Sequence, residues 1–253
     1  TMKKIYNINF SPTGSSMEVA EEIIKAFGCE ETVIDLCEEV TEEIHIESDS
    51  LCLFSVPCYG GRIPKTAEER LLHIHGENTP AVVCVTFGNR DFEDALLELA
   101  DLAEANGFSV IAACAAVTEH NIMHVFGKDR PDCSDKEELR KFSSAIIDKL
   151  KAGKSDRPVI SGNRPYKERH SSPMPILVNE TSCTHCGLCA LKCPVKAISS
   201  DGTKTDSDIC INCMRCIKIC PAKSRSLPEE LLNGLTERLR KACEERKNNE
   251  FYI

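Results

Sequence analysis

The sequence lacks a long hydrophobic run. Its longest strongly apolar stretch, Val110–Val117, is far shorter than the roughly 20 residues that a membrane-spanning helix needs. The first residues also lack an apolar segment followed by a small-residue cleavage site, which a secretory signal would show. We therefore expect no membrane span and a location in the reducing cytosol.

An excess of positive charge is also missing. The formal net charge is −9, from 31 basic and 40 acidic residues. Proteins that bind nucleic acid are more often basic, so we expect no nucleic-acid partner. Residues 176–225 reverse the balance, with seven basic and four acidic side chains. That segment suits a bound anion, although an ordinary solvated surface explains it equally well.

Two common nucleotide-binding signatures are absent as well. The chain has neither a G-x-G-x-x-G run nor a glycine-rich loop that ends in the lysine of a Walker A motif. What it does have is an unusual number of cysteines, 16 in 253 residues. Disulfide-rich secreted folds are usually much shorter, so the cysteines indicate metal or redox chemistry instead.

Strand-like and helix-like patterns alternate through the first 150 residues. Between the strands, apolar residues recur at helical spacing, as in 92–106 and 137–150. The pattern predicts an α/β fold with a five-stranded parallel sheet that helices cover on both faces. Ligands of such sheets bind at the carboxyl ends of the strands. The five predicted strands are Lys4–Phe10, Glu31–Leu36, Leu51–Val56, Ala81–Phe87 and Phe108–Val117.

The remaining chain divides by composition. We predict an α/β domain over residues 1–152, a linker rich in Pro, Gly and charged residues over 153–175, and a compact cysteine-rich domain over 176–225. Residues 226–253 then form a C-terminal helix and tail. Ser226 and Glu229 have the spacing of a capping box, and apolar residues follow at helical spacing from Leu231 to Ala242.

Two cysteine runs lie 27 residues apart in the cysteine-rich segment. Each reads C-x₂-C-x₂-C-x₃-C-P, beginning at Cys183 and at Cys210. Soft thiolates suit iron–sulfur clusters, and this doubled spacing is the pattern of bacterial ferredoxins. Two zinc sites are the alternative, but zinc ribbons take C-x₂-C pairs from separate loops.

The segment thus resembles a bacterial ferredoxin with two 4Fe–4S clusters, in which the fourth cysteine of each run binds the other cluster. The resemblance implies two ligand sets. One is Cys183, Cys186, Cys189 and Cys220, and the other is Cys193, Cys210, Cys213 and Cys216.

A hydroxyl-rich turn joins the first predicted strand to its helix. It comprises Ser11, Pro12, Thr13, Gly14, Ser15 and Ser16 and resembles the phosphate loop of flavodoxins. Free backbone N–H groups at a helix N-terminus bind a phosphate monoester, and the hydroxyls add donors. FMN therefore fits this loop better than NAD or ATP, although a plain strand–helix turn would explain it too.

The whole pattern is similar to fusions of a flavodoxin-like domain with a ferredoxin domain. The resemblance implies a doubly wound sheet with strand order 2-1-3-4-5, and FMN beside the loops after the third and fourth strands. Flavodoxins often stack the flavin between Trp and Tyr, and this chain has no Trp, so Tyr59 is the first stacking candidate. The expected contacts in these two loops are Pro57, Cys58, Tyr59, Gly60, Gly61, Phe87, Gly88, Asn89, Arg90 and Phe92.

The sequence thereby favours an electron-transfer protein that passes electrons between FMN and two 4Fe–4S clusters, with redox proteins as donor and acceptor. Two alternatives stay open. One is a reductase of a small organic acceptor, and the other is a sensing or binding module that has clusters but no flavin. Cys58 is a minor redox candidate. His120, Met123 and His124 after the fifth strand are more typical of structural positions.

Overall fold

The computed structural model describes residues 4–170 and 172–253. Ten strands are found there: β1 (Lys4–Asn9), β2 (Glu30–Asp35), β3 (Ile44–Ile46), β4 (Leu51–Pro57), β5 (Ile74–Gly76), β6 (Thr79–Phe87), β7 (Phe108–Val117), β8 (Leu177–Val178), β9 (Arg225–Ser226) and β10 (Glu250–Tyr252). The helices are α1 (Ser15–Ile24), α2 (Lys65–Leu71), α3 (Ala95–Ala105), α4 (Cys133–Lys151), α5 (Leu188–Leu191), α6 (Arg215–Lys218) and α7 (Glu229–Cys243).

The main sheet has the order β10-β7-β6-β4-β1-β2. Its five predicted strands pair in parallel, and numbered along the chain they lie in the order 2-1-3-4-5. This is the flavodoxin-like arrangement, in which the strand order reverses beside β1. Almost every residue of β4 and β7 is buried, as expected for central parallel strands covered on both faces.

Helices pack against both faces of this sheet. On one face, α2 and α3 bury residues such as Leu71 and Leu96. On the other, α1 and α4 bury Ile23 and Leu139 against the opposite sides of the same strands. Cys52, Cys84 and Cys114 are fully buried in these cores, each with 0% exposure. Their interpretation as plain core residues is consistent with that burial.

The sheet has a sixth strand that the sequence analysis missed. Strand β10 pairs antiparallel with β7, with Phe251 opposite Cys114. The sheet therefore has six strands rather than the predicted five, although the five predicted strands are all present and parallel. A three-residue strand at the end of a charged tail has no periodicity of its own, so only its pairing with β7 reveals it.

Helix α7 also differs from its prediction. It begins at Glu229 with Pro228 as N-cap, no side chain caps it, and Ser226 belongs to β9, so the expected capping box does not form. Its apolar stripe consists of the half-buried Leu232, Leu235 and Leu239 and the buried Cys243, which pack on Met123 and Phe126. Ala242 is exposed. The helix thus covers the loop after β7.

Residues 152–175 contain no helix or strand in their described part, as a linker should, but they are not free. Asp101 on α3 accepts hydrogen bonds from Arg157 (2.6 Å), Arg164 (2.6 Å) and Tyr166. Further along, Arg169 bonds Glu98 at 2.6 Å. The linker therefore lies along α3 and carries the chain to the cysteine-rich segment.

Candidate cofactor sites

The cysteine-rich segment contains a cavity that we call the first cluster cavity. It occupies about 360 Å³, including its open mouth. The cysteines that line it are Cys183, Cys186, Cys189 and Cys220. The structure thus gathers three cysteines of the first run with the last cysteine of the second, which is the set that the ferredoxin resemblance implies for one cluster.

A second cluster cavity, of about 350 Å³, lies beside the first. Its cysteines are Cys193, Cys210, Cys213 and Cys216, again the crossed set. Among the described residues, no group of three or more His, Cys, Asp or Glu side chains is arranged to hold a single metal ion. Two zinc sites would need such groups.

The two cysteine turns have matching backbone conformations. His185 and Gly187 in the first run, and Asn212 and Met214 in the second, all have φ between 51° and 69°. These left-handed residues curl each turn so that successive cysteines face one cavity. Gly202 has a stricter role, because a Cβ there would lie 3.0 Å from Cys189 Sγ.

The fourth cysteine of each run accepts an equivalent backbone hydrogen bond. Cys193 Sγ accepts a hydrogen bond from the Ala197 backbone N–H at 3.3 Å, and Cys220 Sγ accepts one from Ser224 at 3.3 Å. Both donors lie four residues after their cysteine. Such bonds stabilise a thiolate and set part of a cluster's reduction potential, so both positions suit cluster ligands.

The second cluster cavity lies against the α/β domain. Arg70 on α2 donates to the carbonyl oxygens of Leu36, at 2.6 Å, and Pro194, at 2.5 Å. Two lysines of the basic segment also pair with that domain, Lys192 with Glu38 at 2.7 Å and Lys196 with Glu39 at 2.6 Å. These two pairs are largely exposed, so they contribute little stability, but with Arg70 they mark the contact between this cavity and the α/β domain.

A third cavity, which we call the loop cavity, opens at the carboxyl ends of β1, β4, β6 and β7. It occupies about 350 Å³. The predicted residues that line it are Ser11, Thr13, Ser15, Ser16, Pro57, Cys58, Tyr59, Phe87 and Gly88. It also takes in Pro12, Thr86, Thr118, Glu119 and Asn121, which the sequence analysis did not name as contacts. Pro12 follows β1, Thr86 lies near the end of β6, and the other three follow β7. Their position at the same sheet edge was the signal that could have found them.

The hydroxyls of the loop cavity divide into engaged and available groups. Ser11 Oγ accepts from the Met17 backbone N–H at 3.0 Å, and Ser16 Oγ lies 2.8 Å from Thr86 Oγ1. The side-chain hydroxyls of Thr13 and Ser15 have no partner among the described residues. Helix α1 begins at Ser15, so its first N–H groups have no acceptor within the helix. Gly14, at φ 97°, makes the turn into it.

Several predicted flavin contacts lie elsewhere. Arg90 pairs with Glu93 at 2.8 Å, and Phe92 packs on Phe87 inside the core. The Asn89 side chain bonds the backbone after α7. Gly60 and Gly61 do not line the cavity either. A Cβ at Gly61 would lie 1.8 Å from the Glu93 carboxylate. Glycine at this position therefore makes room for the Glu93 side chain rather than for a flavin ring.

Cys58 and His120 have strongly shifted pKa values. Burial raises the pKa of the Cys58 thiol to about 12, which keeps it protonated and unreactive at neutral pH. Burial, with the nearby charges of His124 and Arg90, lowers the pKa of His120 to about 4. His120 Nδ1 accepts hydrogen bonds from the Ile122 and Met123 backbone N–H groups. Both side chains are therefore uncharged at neutral pH.

Tyr59 lines the loop cavity. Burial raises its pKa well above the usual value, so the phenol stays protonated at neutral pH.

Comparison with protein families gives two matches. A 4Fe–4S binding domain model matches residues 176–199, and a second model of the same description matches residues 207–223. These cover the two cysteine runs, so the chain binds two 4Fe–4S clusters. A comparison with curated proteins found no match. Among the described residues, no helix has the length and apolar character to cross a membrane.

Solved structures similar to the chain include the rubredoxin oxygen:oxidoreductase of Desulfovibrio gigas, at 17% identity and a TM-score of 0.44, over 60% of this chain and 37% of that one. Flavodoxin 2 of Bacillus cereus aligns at 13% identity and a TM-score of 0.42, over 58% of this chain and 99% of that one. A flavodoxin of Streptococcus pneumonia TIGR4 aligns at 16% identity and a TM-score of 0.39, over 59% of this chain and 99% of that one.

The alignment spans little more than a third of the Desulfovibrio protein. The fold assignment therefore depends on the strand order of the chain itself. On that basis the chain joins a flavodoxin-like α/β domain to a ferredoxin-like segment with two 4Fe–4S binding sequences.

Proposed function

We propose that the chain is an electron-transfer flavoprotein in which FMN, bound in the loop cavity, exchanges electrons with the two 4Fe–4S clusters. The observation that carries this proposal is that the second cluster cavity lies against the α/β domain, where Arg70 bonds the carbonyl oxygen of Pro194 at 2.5 Å, and that the loop cavity opens on the same domain. FMN takes one or two electrons, whereas each cluster takes one. Joining them lets a two-electron donor or acceptor react with one-electron partners.

The phosphate end of FMN would lie at the N-terminus of α1. The free N–H groups there and the hydroxyls of Thr13 and Ser15 supply donors to a doubly charged phosphate. No basic side chain lines this cavity, so binding depends on hydrogen bonds and the helix dipole. The ring would lie toward residues 57–59 and 87–88, with Tyr59 at its edge.

The crossed sets of four cysteines are the ligands that we assign to the clusters. The second cluster, with Cys213 only 8% exposed, would be the one that exchanges electrons with FMN. The first cluster has the exposed Cys186 and would be the one that meets an external redox protein. The order of transfer would then be partner, first cluster, second cluster and flavin, or the reverse.

The test uses the intact protein, purified without oxygen. One electron per molecule is introduced by a light pulse with a soluble photoreductant, and the flavin and cluster absorbance is followed as the electron redistributes. The rate should be independent of protein concentration, because the cofactors share one chain. A rate proportional to protein concentration, or a protein replete in iron that binds no FMN, would contradict the proposal.

Two cysteine variants sharpen this test. Cys213→Ala should abolish the redistribution between flavin and cluster, since it removes a ligand of the cluster whose cavity lies against the α/β domain. Cys186→Ala should spare it, because that ligand belongs to the outer cluster. The opposite pattern would place the first cluster beside the flavin.

A further inference from the structure

Arg225 is buried between the two cluster cavities. It lies in β9, and only 3% of its surface is exposed. Nη1 donates to the carbonyl oxygen of Gly202 at 2.5 Å and to Cys189 Sγ at 3.7 Å, and Nη2 donates to Thr205 Oγ1. Cys189 lines the first cluster cavity, so the guanidinium contacts a predicted ligand of the first cluster.

The same guanidinium also reaches the second cluster cavity. Its Nη2 donates to Thr205 Oγ1, and Thr205 lines that cavity together with Cys210 and Cys216. One buried cation therefore lies beside both cavities.

Arg225 has no carboxylate partner within the part of the chain that the structure describes. Its Nε is buried and has no hydrogen-bond partner there. Burying a charged guanidinium without a counter-charge is unfavourable. The anions that compensate it are therefore expected from outside the protein's own side chains. A 4Fe–4S cluster with four thiolates is such an anion.

The internal repeat shows that this arginine is not required by the turn itself. The two cysteine runs are offset by 27 residues, and Ile198 occupies the position that corresponds to Arg225. Ile198 is 9% exposed and lines the second cluster cavity, as Arg225 lines the first. The fold therefore accepts an aliphatic side chain at this position in one half and a cation in the other.

We propose that Arg225 is a buried cation that raises the reduction potentials of both 4Fe–4S clusters, the first cluster most. Reduction adds one electron to a cluster and makes it more negative, so a fixed positive charge beside its sulfur atoms stabilises the reduced form. Net charge and hydrogen bonds to sulfur are established determinants of cluster potential. The inference depends on the two clusters and their assigned ligands, and is independent of the flavin.

The experiment is an anaerobic redox titration of the whole protein, with sodium dithionite as reductant and paramagnetic spectroscopy to resolve the two clusters. Arg225→Ile copies the residue of the other half. It should lower the midpoint potential of the first cluster by about 59 mV or more, a tenfold change in the one-electron equilibrium. The second cluster should shift in the same direction by less. Arg225→Lys should keep most of the wild-type potential.

The control is Lys223→Gln, which removes an exposed charge from the same segment. Solvent and salt screen that charge, so both potentials should stay close to wild type. Unchanged potentials in an Arg225→Ile protein with full iron content would overturn the inference. If Arg225→Ile binds no clusters, the iron content of Arg225→Lys is the deciding measurement. Full iron content in Arg225→Lys supports a role of the positive charge, and loss of iron from both variants overturns the inference.

Discussion

Asn89 Nδ2 lies 2.6 Å from the carbonyl oxygen of Cys243, 154 residues further along the chain. The same amide donates to the carbonyl oxygen of Glu245 at 2.9 Å, and its Oδ1 accepts from the Lys247 backbone N–H at 3.0 Å. The loop after β6 thus holds the segment between α7 and β10, and through it the sixth strand of the sheet.

We expect Asn89→Ala to loosen this C-terminal segment by about 2–3 kcal/mol, because buried backbone groups lose their partners. Global unfolding of a protein with clusters is not two-state, so amide hydrogen exchange is the measurement. Exchange should accelerate over residues 244–252 and stay unchanged in β4. The exposed Asn248 gives the control, and Asn248→Ala should exchange as wild type. Unchanged exchange in Asn89→Ala would contradict the anchoring role.

The ionised Asp101 carboxylate should hold the linker. Although burial raises its pKa, hydrogen bonds from Arg164, Tyr166 and Arg157 outweigh that effect and lower it to about 2. A depressed folded-state pKa contributes stability above the unfolded value near pH 4, and this stability is lost as the pH falls toward 2. Asp101→Asn should imitate the protonated form at neutral pH.

Because its partners are partly exposed, we expect Asp101→Asn to cost about 1–2 kcal/mol. Limited proteolysis should cut the 153–170 segment faster than in wild type at pH 7. Asp148→Asn, an exposed aspartate on α4, is the control and should be cut at the wild-type rate. Equal cleavage of all three proteins would mean that other contacts hold the linker.

Removal of the Thr13 hydroxyl should weaken FMN binding. Thr13 lines the loop cavity and would donate one hydrogen bond to the phosphate. Thr13→Val keeps the shape and should cost about 1–2 kcal/mol, the scale of one hydrogen bond to a charged group. Titration of the apoprotein with FMN and with riboflavin measures it. Riboflavin has no phosphate and serves as the control, so equal losses for both ligands would place the phosphate elsewhere.

Loss of Cys193 should damage mainly the second cluster, although Cys193 belongs to the first cysteine run. In the structure it lines the cavity of Cys210, Cys213 and Cys216. Cys193→Ala should therefore disturb the paramagnetic spectrum of that cluster and spare the other. Cys133→Ala, at an exposed cysteine outside both cavities, is the control. Selective loss of the first cluster would refute the crossed assignment.

Local patterns in the sequence were sufficient for the main elements. Each predicted strand of the α/β domain lies within two residues of a strand of the sheet, because a buried parallel strand must be a continuous apolar run. The cysteine spacing likewise indicated two clusters, and both family matches fall on it. These features are short-range, and so they are visible along the chain.

The loop cavity was only partly predictable. Parallel strands bring their carboxyl ends to one edge, and so the cavity gathers Ser11, Thr13, Ser15, Ser16 and residues 57–59; their contact with FMN stays a prediction. Asn89 and Arg90 do not line the cavity, because their side chains bond Cys243 and Glu93, which proximity to Gly88 in the sequence cannot reveal. Thr86, near the end of β6, and Asn121, in the loop after β7, also line the cavity. The same sheet edge indicated them, although they were not predicted.

By itself, the sequence determined the secondary structure of the α/β domain, the doubled cysteine motif and the turn before α1, because each depends on residues near one another in the chain. Only the tertiary structure decided that β10 completes the sheet and that the second cluster cavity lies against the α/β domain. It likewise decided that Arg225 lies buried between the two cluster cavities. These arrangements depend on contacts between distant segments, whose free energy appears only when the chain is packed.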